Sequence, residues 1–162
     1  MSTKTTRRTF LKSAAVATFG LPAIIPASAL GKNGNVAPSN RIVLGGIGVG
    51  RRGGKVLDGF LQQKDSQFVA VADPQKERRE IIKRKTDEHY GNKDCVLYDD
   101  MSGVLERDDI DAVLITTGDR WHATASIYAA RAGKDIYCEK PCAMNIQECQ
   151  ELDDNIKKHQ RV

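Results

Sequence analysis

The tightest constraint on this chain is the glycine spacing in Gly48-Val49-Gly50-Arg51-Arg52-Gly53, directly after the apolar run Ile42-Val43-Leu44-Gly45-Gly46-Ile47. A Gly-x-Gly-x-x-Gly pattern between a strand and a helix uses each glycine differently. The first turns tightly, the second leaves bare backbone open to a pyrophosphate, and the third lets helix and strand pack closely. Amides at the helix N-terminus, at the positive end of its dipole, then face the phosphates. The glycine-rich stretch admits other frames. One starting at Gly46 fails, because its sixth position is Arg51. The frame starting at Gly48 succeeds and leaves a strand upstream. Such turns also occur without a ligand, so the surrounding pattern has to carry the reading.

That pattern alternates. The helix after the glycines is predicted to run to about residue 63, followed by a second strand at 67–72. Pro74 suits the opening of a helix that reaches Tyr90 and is stopped by Gly91. A third strand is expected at 95–98, a small helix at 101–106 and a fourth strand at 111–116. Residues 120–132 read as a helix ended by Gly133, residues 135–138 as a fifth strand, and Asn145 as the cap of a helix to about His159. Strands alternating with helices predict the α/β class: a doubly wound parallel sheet, or Rossmann fold, with helices on both faces. Arg161-Val162 reads as the start of a sixth strand. The expectation is a dinucleotide-binding domain over 41–162 that stops one strand short, a fragment of a longer protein.

The N-terminus reads differently. Residues 1–29 place Lys4, Arg7, Arg8 and Lys12 before a weakly apolar stretch that ends in Ala27-Ser28-Ala29. A basic start, a modest apolar middle and a small-residue cleavage site describe an export signal. Arg7-Arg8 within Thr-Arg-Arg-Thr-Phe-Leu-Lys resembles the twin-arginine type. A membrane anchor fits less well, because Pro22 and Pro26 break an apolar run shorter than the roughly 20 residues a span requires. The expectation is a signal cleaved after Ala29, a linker over 30–40, passage through the twin-arginine export machinery, and a periplasmic location.

This bears on charge. The whole chain carries 25 basic and 21 acidic residues, a net of +4, and the four basic residues named above account for that excess. Without them the chain is neutral, which gives a nucleic-acid partner no support. The four cysteines are Cys95, Cys138, Cys142 and Cys149. Three of them lie close enough in sequence to suggest zinc ligands, but no second pair and no nearby histidine completes a tetrahedral set. Buried, apolar-behaving cysteines are the expectation, and no metal.

Three groups of residues carry chemistry. Asp73 ends the second strand, 25 positions after Gly48, where a carboxylate accepts hydrogen bonds from an adenosine ribose. A carboxylate there repels a 2′-phosphate, which favours NAD, although Arg51 and Arg52 could steady a phosphate and keep NADP open. Asp73 also suits capping of the helix after Pro74. The second group, Thr116-Thr117-Gly118-Asp119-Arg120-Trp121-His122, follows the fourth strand at the switch point between strands one and four. There Trp121 and His122 could approach a nicotinamide ribose, or His122 could simply be structural. The third, Cys138-Glu139-Lys140-Pro141, ends the fifth strand. A lysine there can exchange a proton with a substrate hydroxyl if burial lowers its pKa, or can form a strand-end salt bridge.

Together these residues resemble the N-terminal domain of the Gfo/Idh/MocA oxidoreductases, over about 41–162. Glu139-Lys140-Pro141 at this distance from the glycine loop is the specific element. The resemblance implies Lys140 as the catalytic residue beside nicotinamide and substrate. It implies cofactor contacts from Gly48, Val49, Gly50, Arg51, Arg52, Gly53, Asp73, Thr116, Thr117, Asp119, Trp121, His122, Glu139 and Lys140. Gly118 departs from the proline many members carry, and the second α/β domain that supplies their substrate wall is not in this sequence.

The function so implied is NAD(P)-dependent hydride transfer with a sugar or polyol, this chain supplying nucleotide binding and being inactive alone. Redox-neutral glycoside hydrolysis within the same family is the alternative, and a dinucleotide-binding module without turnover is another. Methyltransferases also place glycines after strand one and an acid after strand two, but Glu139-Lys140-Pro141 argues against that class. A small-molecule substrate and, for the whole protein, a homo-oligomer are the partners consistent with this reading.

Overall fold

The computed structural model describes residues 36–162. The predicted signal and most of the predicted linker lie outside them. The unit from Pro38 onward opens with a 3₁₀ turn at Pro38–Asn40 and then alternates as its hydrophobic runs predict. Strands β1 (Ile42–Ile47), β2 (Ser66–Ala72), β3 (Val96–Tyr98), β4 (Ala112–Ile115) and β5 (Asp135–Cys138) alternate with helices. These are α1 (Arg51–Leu61), α2 (Lys76–Tyr90), α3 (Ser102–Leu105), α4 (His122–Arg131) and α5 (Ile146–His159).

The five strands form one sheet in the order β3-β2-β1-β4-β5, and every neighbouring pair is parallel. This is the doubly wound arrangement, with its switch point between β1 and β4. Beyond β5, the Ile136 amide donates to the Val162 carbonyl at 2.7 Å, and the Val162 amide donates to Asp135 Oδ1 at 3.0 Å. Arg161-Val162 therefore lies along the edge of β5, where a sixth strand would pair.

Alternation along each strand sends successive side chains to opposite layers. On one face Leu44, Phe68, Val71 and Leu114 pack with Leu57 and Leu61 of α1 and Ile82 of α2. On the other, Ile47, Ala70, Ala72, Val113 and Ile115 pack with Val104 of α3 and Ala125 and Ala129 of α4. The alanines let α4 lie close to the sheet, while Leu57 is fully buried in the opposite layer. A side chain of that size contributes about 1.5–3 kcal/mol by leaving water.

The helix ends follow local chemistry. Gly91 takes the left-handed conformation, φ 67°, that stops α2. The Asn145 side chain accepts from the Glu148 amide at 2.9 Å and caps α5 as predicted. Two helices start two residues later than expected. The segment from Asp119 begins with a 3₁₀ turn, Asp119–Trp121, and becomes α-helical only at His122. Helix α2 starts at Lys76 with Gln75 at its N-cap position. Asp73 acts one step earlier, accepting the Gln75 amide on Oδ1 at 2.8 Å.

Candidate cofactor-binding and active site

A cleft of about 430 Å³ opens at the carboxyl ends of β1, β2 and β4. The glycine loop forms its floor, and the three glycines divide the work as their spacing implies. Gly48 holds φ at 67°, and a Cβ there would come within 2.8 Å of the Thr117 backbone. At Gly53 a Cβ would come within 2.9 Å of Thr116 Cβ and 3.1 Å of Val49, so only glycine lets α1 settle against β4. Gly50 is different. Its nearest neighbour on the missing side chain's side is the Arg78 guanidinium, at 3.5 Å. The backbone there faces the cleft, a space a side chain would fill.

Gly50 stands at the N-cap position of α1 and supplies no side-chain cap. The first amides of a helix have no intrahelical acceptor, so this end is built to receive an anion. The loop therefore fits the pyrophosphate of a dinucleotide on the geometry of its own backbone. Val49 lies outside the cleft lining, its side chain buried in the core.

Asp73 lies at the rim where β2 ends. It is 3% exposed, lines the cleft, and keeps Oδ2 without a protein donor among the described residues while Oδ1 holds Gln75. One carboxylate oxygen fixes the turn, and the other is left available. Arg78 lines the same end, and the Arg79 guanidinium donates to the Asp73 carbonyl. Reading the sequence missed both arginines, since Lys76-Glu-Arg-Arg-Glu80 looks like an ordinary solvated helix face. Their nearness to Asp73-Pro74, at the first turn of the helix, was the available signal.

On the opposite wall, Thr116 donates from Oγ1 to the Gly48 carbonyl at 3.2 Å and ties β4 to the glycine loop. Thr117 and Trp121 also line the cleft, the indole half-exposed. Asp119 is exposed and lies outside the lining. His122 is 1% exposed. Its Nδ1 sits 2.6 Å from the Pro141 carbonyl and its Nε2 3.2 Å from the Thr117 carbonyl. Both ring nitrogens thus face backbone carbonyls, and the side chain lies between the loop after β4 and the loop after β5. This is the structural role rather than direct approach to a ribose.

The third group shows a partner that local spacing does not reveal. Glu139 receives Arg52 in a two-point contact, Nη2 to Oε1 at 3.2 Å and Nε to Oε2 at 3.3 Å. The hydrogen bond and charge of Glu139 hold the Arg52 guanidinium above its ordinary pKa. The strand-end salt bridge therefore exists, but it runs to the glycine-loop helix rather than to Lys140. Arg51 lines the cleft too. Lys140 is exposed at the end of edge strand β5, before a cis bond to Pro141, and its Nζ has no hydrogen-bond partner among the described residues. The burial expected to tune it is not supplied by these residues.

Two of the four cysteines depart from the expected burial. Cys95 is buried, and desolvation pushes its thiol up to about 11. Cys138 is half-buried and also raised by burial. Cys142 and Cys149 are exposed, because the loop after β5 and the outer face of α5 lie outside both cores. Among the described residues no group of three or more His, Cys, Asp or Glu side chains could hold a metal ion, and no helix is long and apolar enough to cross a membrane.

A family model described as the oxidoreductase family with NAD-binding Rossmann fold, GFO_IDH_MocA, matches residues 42–162. The chain belongs to the Gfo/Idh/MocA family. It is the NAD-binding Rossmann domain of that family which the sheet order and the glycine floor express, and members of it are NAD(P)-dependent oxidoreductases. Among curated relatives, glycosyl hydrolase family 109 protein 1 from Shewanella sp. (strain MR-4) is 32% identical, over 96% of this chain and 38% of that protein. The alpha-N-acetylgalactosaminidase of Shewanella oneidensis is 31% identical over the same shares. Among solved structures, myo-inositol 2-dehydrogenase from Lactobacillus plantarum superposes with a TM-score of 0.64 at 25% identity, covering 74% of this chain and 34% of that one. An NAD-binding oxidoreductase from Klebsiella pneumoniae gives 0.61 at 27%, covering 75% and 33%. The Gfo/Idh/MocA chain described here thus spans 38% of the length of the curated relatives it matches.

Proposed function

We propose that this Gfo/Idh/MocA domain forms the cofactor half of an active site that moves hydride to or from a carbon of a sugar or polyol. The observation that carries the proposal is the coupling of the glycine loop to the lysine motif through Arg52 and Glu139. When bound, the nicotinamide supplies a hydride acceptor or donor. Gly50 and the first amides of α1 hold the phosphates, Asp73 receives the ribose, and Trp121 and Thr117 wall the cleft. Lys140 takes or returns the hydroxyl proton at Nζ, from the end of β5. The substrate wall belongs to chain outside this sequence, so the domain alone binds without turning over.

A second reading has its own support in the relatives named glycosyl hydrolase family 109 and alpha-N-acetylgalactosaminidase. In it a sugar hydroxyl is oxidised and later restored, the glycosidic bond breaks between the two events, and no net redox change remains. The same residues serve both readings. Incubating the whole protein with an aryl N-acetylgalactosaminide separates them. Release of the aryl alcohol without net reduction of NAD supports the glycosidase. Stoichiometric NADH formed from a polyol or free sugar supports the dehydrogenase. Neither product, from protein shown to bind NAD, overturns both.

The proposal extends to export. Arg7-Arg8 and the small-residue stretch ending at Ala29 direct a folded, cofactor-loaded protein through the twin-arginine route to the periplasm. Replacing both arginines with lysine is expected to trap the protein in the cytoplasm. Unchanged recovery of the variant from the periplasm would contradict this.

A further inference from the structure

Two of the four cysteines have no role in the cofactor site. Cys142 and Cys149 are both exposed, and their sulfurs lie 4.0 Å apart. Cys142 follows Lys140 by two positions, in the loop between β5 and α5, and Cys149 closes the first turn of α5. That loop is already tied down at two points. The His122 ring holds the Pro141 carbonyl, and the Glu148 carboxylate accepts the Met144 amide at 2.9 Å and the Asn145 side-chain amide at 2.9 Å. Between these ties sits the sulfur pair.

We propose that Cys142 and Cys149 are a dithiol–disulfide pair that fastens the Lys140 loop to α5 when oxidised and frees it when reduced. Packing gives no other reason for the pair, since neither side chain joins a core. Metal binding gives none either, because no third His, Cys, Asp or Glu ligand is placed with them among the described residues. Cys138 is the competing partner for Cys142. It is half-buried, and its thiol donates to the Glu139 carbonyl at 3.3 Å. The sulfurs must close to about 2.05 Å to bond, and Cys142, exposed in a loop, has the freedom to rotate toward the helix.

The oxidant is a disulfide, either a small molecule or a protein. One thiolate attacks it, forming a mixed disulfide and expelling one thiolate. The second cysteine's thiolate then attacks its neighbour's sulfur, forming the Cys142–Cys149 bond and expelling the other. Two electrons pass to the oxidant, which leaves as two thiols carrying the two protons. An oxidising compartment closes the pair, and a reducing one opens it.

The test equilibrates the protein with defined ratios of oxidised and reduced glutathione and then blocks remaining thiols with N-ethylmaleimide. Intact mass is expected to show one species two hydrogens lighter, with two of the four thiols unblocked. Cleavage after glutamate cuts at Glu148, between the two cysteines, and is expected to yield peptides joined from Cys142 to Cys149. Hydrogen exchange of the 140–146 amides is expected to slow on oxidation in the native protein and to stay unchanged in Cys142→Ser. Joined peptides from Cys138 to Cys142, a persistent glutathione adduct, or four blocked thiols in fully oxidised buffer would each overturn the proposal. So would a Cys142–Cys149 bond that leaves exchange of the loop unaltered.

Discussion

Arg52, in the first turn of α1, grips Glu139 at the end of β5 across 87 positions of sequence, with both carboxylate oxygens engaged. The contact joins the two motifs that define the site. The Arg52 side chain is 68% exposed and the Glu139 side chain 12%, so the value of the contact lies in orientation more than in stability, as for most surface ion pairs. Glu139 is the shared point. It ties the strand end that precedes Lys140 to the first turn of α1.

Gly50 and Gly53 separate binding from folding. A Cβ at Gly50 meets only the flexible Arg78 guanidinium, whereas one at Gly53 meets Thr116 and Val49 at 2.9 and 3.1 Å. Gly50→Ala is expected to keep the native unfolding midpoint and to weaken NAD binding by about tenfold or more, roughly 1.4 kcal/mol. Gly53→Ala is expected to cost about 1–3 kcal/mol of stability as well, from overpacking between helix and sheet. Urea denaturation paired with a binding titration reads both quantities. Equal stability losses in the two variants would contradict the assignment.

In the proposed site Asp73 sets the choice between the two dinucleotides. Its second carboxylate oxygen is the proposed acceptor for a ribose hydroxyl and would repel a phosphate in that place, while Arg78 lines the same cleft. Asp73→Ser is expected to weaken NAD and to strengthen NADP relative to it by about tenfold, or about 1.4 kcal/mol of discrimination. Parallel titrations with the two nucleotides measure the ratio. A ratio unmoved by the substitution would remove Asp73 from this role.

His122 bridges two loops from a buried position. His122→Ala leaves the Thr117 and Pro141 carbonyls without their ring partner and opens a void beside them. A loss of about 1–3 kcal/mol of stability is expected, together with faster hydrogen exchange in both loops. Urea midpoints and exchange rates test it. A variant as stable as the native chain would show that the bridge carries nothing.

Cys95 makes stability depend on alkaline pH. Burial raises its thiol to about 11 in the folded chain, while an unfolded thiol ionises near 8.5. The unfolded state therefore loses its proton first, and stability present below about pH 8.5 drains away as pH rises toward 11. The slope approaches about 1.4 kcal/mol per pH unit within that window. Replacing Cys95 with Ala is expected to flatten the profile there. An unchanged slope in the variant would assign the alkaline loss to other groups.

The sheet was legible in the sequence because each strand is an apolar run set off by breakers, and parallel order follows from the helices between them. Asp73, Thr116 and Trp121 were legible because topology places the ends of β2 and β4 around one cleft. The Arg52–Glu139 pair was not, since no local pattern links residues on α1 and β5. Arg78 was hidden for another reason: its neighbours make it look like one more solvated charge. The exposed cysteines were misread because composition alone favours burial, and only the path of the loop after β5 shows that two of them miss the core.

On the proposed function, the glycine floor binds a nicotinamide dinucleotide. Trp121 is the only tryptophan in the chain and lines the cleft half-exposed, so its emission reports occupancy directly. Titrating NAD into the protein is expected to change that emission saturably at one nucleotide per chain, with Gly50→Ala shifting the curve to higher concentration. An emission that never saturates, together with no heat of binding by calorimetry at millimolar NAD or NADP, would contradict dinucleotide binding at this site.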